Sequence, residues 1–175
     1  MDRERAFNLL ALAIVAVLGF GLVYYAGLVE LPGEDQYGNG TAVVTDEDGT
    51  TLATVQVEVS DTRQERYTGL SDHESLESGQ GMWFVYDSEQ GEMTYVMRKM
   101  DFPLDIIFVG SDGRITSIHH VPAPEPGQDG EEITATGSGQ YVLEVPRGYT
   151  NETGIQVGDR VDVTYDSEDD ADTES

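Results

Sequence analysis

Thr51–Ser60 reads TLATVQVEVS. Ala53, Val55, Val57 and Val59 fall on one face, and Leu52, Thr54, Gln56 and Glu58 on the other. That period of two, rich in β-branched residues, is the pattern of a half-buried strand. Upstream, Thr41–Thr45 is β-like and Asp46–Gly49 is a turn. Downstream, Asp61 or Thr62 can cap a short helix that runs to Thr68 and ends at Gly69, and Asp72–Ser78 offers another helical turn. Met82–Tyr86 (MWFVY) reads as an apolar strand, Asp87–Gly91 as a turn and Met93–Met97 as the partner strand. Leu104–Val109 (LDIIFV) reads as a buried strand that turns at Gly110–Gly113 into Arg114–Val121. A Pro/Gly/acid loop over Pro122–Glu132 precedes the last strands, Tyr141–Val145 and Arg160–Tyr165. Many short strands separated by turns predict an all-β domain over residues 41–165, a compact sandwich or barrel with one or two short helices.

Outside that domain the chain changes character. Residues 6–29 read AFNLLALAIVAVLGFGLVYYAGLV, without Asp, Glu, Lys or Arg. At about 1.5 Å per residue such a helix crosses a hydrocarbon core of about 30 Å with some tilt. Arg3 and Arg5 precede it, and Glu30, Glu34 and Asp35 follow it. The positive-inside rule then puts residues 1–5 in the cytoplasm and everything after the segment outside. A retained signal anchor is the expected reading, because the run exceeds a signal-peptide core and no A-x-A site follows; cleavage is the alternative. Residues 30–40, with Pro32, Gly33, Gly38 and Gly40, read as a linker, and residues 166–175 as a disordered acidic tail.

The 175-residue chain carries 34 Asp and Glu against nine Lys and Arg, a net charge of -25. Such an excess repels itself at low salt, whereas at molar salt the Debye length falls to about 3 Å. A carboxylate-dense chain whose one lysine is Lys99 therefore resembles proteins of extreme halophiles, haloarchaea above all. Nucleic acid is not an expected partner, because nothing neutralises phosphates. Without cysteine there is no disulfide, zinc-thiolate site or cysteine nucleophile.

Five motifs occur in a recognisable order: TRQERYTGL (62–70), GMWFVY (81–86), VMRKMDFPLDIIFVGSDGRI (96–115), YVLEVPRG (141–148) and GIQVGDRV (154–161). In them the chain resembles the domain-of-unknown-function family 192, over roughly Val55 to Val163. The resemblance implies a compact β-sandwich or barrel and no established activity. Typical members have Met after Gly-Leu, where Ser71 stands here, and a Met-Lys-Asn-Thr stretch where Met97, Arg98, Lys99 and Met100 stand. A function needing that amide or hydroxyl is in doubt, while Arg98 keeps the positive charge.

The candidate ligand-binding residues are Arg66, Met97, Arg98, Asp105 and Glu144. Asp105 sits inside an apolar strand, where an unpartnered carboxylate costs several kcal/mol. Arg98, Arg66 and Lys99 are its expected partners, and Glu144 is a second acid among Val142, Leu143 and Val145. These charges line a pocket for a small polar ligand, form a structural salt-bridge network, or simply face solvent. Met93, Met97, Met100 and Met82, with His119 and His120, have the softness for Cu(I). Methionines also fill cores, however, and adjacent histidines in a strand face opposite ways, so no metal site is expected. Asp46–Gly49 lacks the spacing of a calcium loop. Gly137-Ser138-Gly139 reads as a turn, and no catalytic set or cofactor is expected. Asn39 and Asn151 begin N-x-Thr glycosylation sequons. The sum is a membrane-anchored, extracytoplasmic β-domain without catalysis, a binding or envelope-associated module. The alternative is a small-ligand or metal-binding domain or enzyme built on Arg98, Asp105 and Glu144.

Overall fold

The computed structural model describes residues 38–166. The expected membrane segment, residues 6–29, and nearly all of the acidic tail lie outside them. Among the described residues no helix is long and apolar enough to cross a membrane.

Seven strands form one sheet: β1 Asn39–Thr45, β2 Thr51–Ser60, β3 Gln80–Val96, β4 Leu104–Val109, β5 Ile115–Val121, β6 Thr134–Pro146 and β7 Arg160–Tyr165. Their order is β5-β4-β6-β3-β2-β1-β7. Every pairing is antiparallel except β2 with β3. That parallel pair needs a crossover, which α1 (Arg63–Thr68) supplies. The start of α1 is the expected one. The Thr62 side chain accepts from the Glu65 amide, and the Glu65 carboxylate accepts from the Thr62 amide, a reciprocal capping box. Gly69, at φ 50°, ends the helix, and a 3-10 turn over Gly69–Asp72 follows. A second short helix, α2 (Tyr149–Thr153), precedes β7.

The sheet curls until its outer strands meet at one end. Arg114 bridges Arg160, the Ile115 amide donates to Asp159 O at 2.9 Å, and the Val161 amide donates to Gly113 O at 2.8 Å. The interior of the curl holds one core, drawn from all seven strands and including Val44, Val55, Trp83, Ile107, Ile115, Leu143 and Val161. A second core lies on the other face of β3, β4 and β6, where Leu70, Phe84, Met97, Met100, Ile106 and Phe108 pack together. Two cores explain the two strand patterns. Strand β4 is buried at all six positions, whereas β2 buries alternate residues, as its period predicts.

Three expectations are corrected. Met82–Tyr86 and Met93–Met97 are not a hairpin. Gln80–Val96 is one bent strand of 17 residues, paired with β6 across register shifts near Gln90. Its polar middle imitates a turn because that bend projects into solvent. Gly137-Ser138-Gly139 is not a turn either; it lies inside β6. A Cβ on Gly137 would stand 2.4 Å from the Phe108 ring, and one on Gly139 would stand 2.3 Å from Val109 O, so close approach demands both glycines. Finally, only Asp72 of the Asp72–Ser78 segment is helical, as the end of the 3-10 turn.

Candidate functional site

The second core is not filled completely. Between α1, β3 and the connection after β3 it opens into a pocket of about 200 Å³. Leu70, Phe84, Met100 and Leu104 line it with apolar surface. Arg66, Tyr86, Tyr95, Arg98 and Glu144 bring the polar groups.

Glu144 reaches this pocket because of strand periodicity. On β6, Leu143 and Val145 face the interior of the curl, so Val142 and Glu144 face the second core. Glu144 is 6% exposed, opposite Met82 on β3 and Ile106 on β4. Its carboxyl has no hydrogen-bond partner among the described residues. Burial alone pushes it up to about 8, so in the empty pocket it is mostly protonated at neutral pH.

Arg66 stands over the Tyr86 ring at 4.9 Å. Its Nη1 donates to Asp61 O and to Val85 O, the latter at 2.8 Å. Its Nε and Nη2 have no acceptor among the described residues. Arg98 is more fully engaged. It stacks on the Tyr67 ring at 4.0 Å, donates from Nη2 to Tyr67 O at 2.6 Å and pairs loosely with Glu131 at 3.6 Å. Tyr86 and Tyr95 share a hydrogen bond of 3.1 Å. Burial, with Tyr86 and Glu144 nearby, pushes the Tyr95 phenol well above its ordinary value.

Two departures from the family pattern acquire a structural meaning. The Ser71 hydroxyl donates to Arg98 O at 3.1 Å and ties the 3-10 turn to the connection after β3. Lys99 is the one non-glycine among the described residues with positive φ, at 57°. Asn tolerates that left-handed conformation better than Lys.

The structure brings Arg66, Arg98 and Glu144 together and leaves the other two candidates elsewhere. Met97 is 1% exposed in the core and does not line the pocket. Asp105 faces the opposite side of the sheet. Its partners are not Arg66, Arg98 or Lys99, as the sequence suggested. It accepts from His120 Nδ1 at 2.6 Å, from the Thr150 amide at 3.0 Å and from the Thr150 hydroxyl at 2.7 Å. Burial pushes Asp105 up, but these hydrogen bonds outweigh it and hold the carboxyl below the ordinary range. The role is structural: α2 begins at Gly148, which has no side chain to cap it, and Asp105 caps it from β4. Met82, Met93, Met97 and Met100 are all buried in the second core. His120 turns to Asp105 while His119 meets the Phe108 ring on the other face. Asn39 and Asn151 are both exposed.

Sequence reasoning missed Tyr86 and Tyr95 as pocket residues and His120 and Thr150 as the partners of Asp105. The two tyrosines stand on either side of the bend in β3, which reads as a turn, and so their contact was hidden.

A family model for DUF192, described as "Uncharacterized ACR", matches residues 43–163. Among solved structures, a protein described as a candidate transcription regulator from Sinorhizobium meliloti 1021 is 26% identical, with a TM-score of 0.63. The match covers 75% of this chain and 98% of that one. A protein of unknown function from Novosphingobium aromaticivorans DSM 12444 is 31% identical, with a TM-score of 0.60, over 70% of this chain and 83% of that one. No curated protein matches.

Proposed function

Because this chain belongs to the uncharacterised DUF192 family, no activity is inherited, and we propose from its own residues that it is a non-catalytic small-ligand-binding module. The observation that carries the reading is Glu144. A carboxyl 6% exposed and without a partner among the described residues costs stability, and it lies in a pocket whose walls also hold two arginines. A group that is costly when empty and satisfied when filled is what a binding site retains.

The location is part of the same proposal. Residues 6–29 tether the domain to a membrane and Arg3 and Arg5 keep the N-terminus inside, so the pocket faces outward. The acid excess suits that domain to concentrated salt, as in haloarchaea, and the outward position leaves the exposed Asn39 and Asn151 open to glycosylation. A nucleic-acid partner is disfavoured by the net charge of -25.

The test is a screen of small polar compounds against the full chain in detergent at molar salt, read by NMR shifts. Binding should move resonances of Arg66, Tyr95 and Glu144 together and raise the melting temperature. Compounds that shift only residues elsewhere, or none that bind, would sink the reading. Protease added outside intact cells should remove the domain; protection until lysis would reverse the orientation.

A further inference from the structure

The pocket presents guanidinium cations and a carboxyl acid, and among the described residues no contact joins Glu144 to Arg66 or Arg98. Nε and Nη2 of Arg66 form a free guanidinium edge, the donor pair that grips a carboxylate bidentately. Among the described residues Glu144 is the one acid lining the pocket, and its carboxyl has no hydrogen-bond partner among them. A simple anion would satisfy the guanidinium and leave the acid unpaired. A simple cation would satisfy the acid but face two guanidiniums. A volume of about 200 Å³ lies below the roughly 300–1,000 Å³ of ordinary ligand pockets, so the occupant is small.

We propose that the pocket takes a small zwitterion, its carboxylate on the free edge of Arg66 and its ammonium on the Glu144 carboxyl. The proposal rests on the ligand-binding reading above and adds the ligand's chemistry. Arg98, held by Tyr67 and Glu131, is a fixed positive wall that favours the carboxylate end. Leu70, Phe84 and Leu104 limit the ligand's side chain to a short apolar group.

Binding of this kind moves a proton. The charged groups that face Glu144 are Arg66 from α1 and Arg98 from the connection after β3, with the phenols of Tyr86 and Tyr95 on β3. In the empty pocket burial holds Glu144 protonated at neutral pH, its carboxyl raised to about 8. An ammonium beside it favours the carboxylate, so the acid ionises and its proton leaves to buffer.

The experiment is calorimetry on the full chain in detergent at molar salt, near pH 7, in two buffers of different ionisation enthalpy. The probes are alanine, propionate and ethylamine, matched in size. Alanine should bind best and release about one proton per site. The isosteric Glu144→Gln should abolish the release and weaken alanine about tenfold to hundredfold, the range of a lost charged hydrogen bond. The proton count is read on the unmutated protein, so a poorly folding variant does not decide the matter. Propionate binding as tightly as alanine without proton release would overturn the zwitterion and leave the pocket standing. No binding by any of the three, together with no shift in the wider screen, would overturn both.

Discussion

At the residue scale, two buried acids on neighbouring strands obey opposite pH rules. Asp105 is held below its ordinary range by His120 and Thr150. Its contribution is present above about pH 3.9 and is lost as pH falls through the folded value. Glu144 is raised from 4.5 to about 8, so the folded state takes up a proton that the unfolded state has released. Stability therefore falls as pH rises from about 4.5 through about 8, and levels off above. Denaturant midpoints measured from pH 4 to 9 should show that decline in the wild type and a flatter alkaline limb in Glu144→Gln. Equal slopes would mean that Glu144 ionises freely in the folded state. The sequence set both acids among apolar residues but paired Asp105 with the wrong partners. Carrying the pairing Val109↔Ile115 forward without interruption would set Asp105 opposite His119. The bulge between Phe108 and Val109 shifts the register and delivers His120 instead. A one-residue irregularity leaves no mark in composition or period.

Elements were legible where a local pattern has one cause. Strand β2 and the start of α1 fall where alternation and the Thr62–Glu65 box put them. Legibility failed in β3, whose polar bend reads as a turn, and in β6, where two glycines read as a loop but are required by packing. The connection between β3 and β4 shows the same division. Its sequence revealed a departure from the family pattern, and its backbone supplies the reason: Lys99 occupies a left-handed conformation. Lys99→Asn should stabilise the domain by about 1 kcal/mol, since the left-handed region costs ordinary residues about 1–2 kcal/mol and Asn less. The readout is the thermal midpoint at fixed salt, and a lower midpoint would refute the account. Because Lys99 does not line the pocket, ligand affinity should stay unchanged.

At the scale of the whole molecule, the proposed adaptation to salt rests on the net charge of -25 and makes a prediction about the fold. Repulsion between carboxylates is screened within about 3 Å at 1 M salt but reaches about 10 Å at 0.1 M. Dialysis from molar to dilute salt should unfold the protein. Trp83, the single tryptophan, is 2% exposed and stacked on Tyr141 at 5.0 Å, so its emission should shift red as the core opens. Unchanged emission in dilute buffer would refute the adaptation to salt. The pocket did not show in the sequence, because Arg66, Tyr86, Tyr95 and Glu144 meet only after β6 is inserted between β3 and β4. The order of the sheet bears on synthesis as well. Strand β1, the first, lies between β2 and β7, the last, and the Asp166 amide donates to Asn39 O at 2.9 Å. A chain emerging from the ribosome thus keeps one edge of β1 unpaired until its final strand is made. Completion of the sheet must therefore wait until β7 has been made.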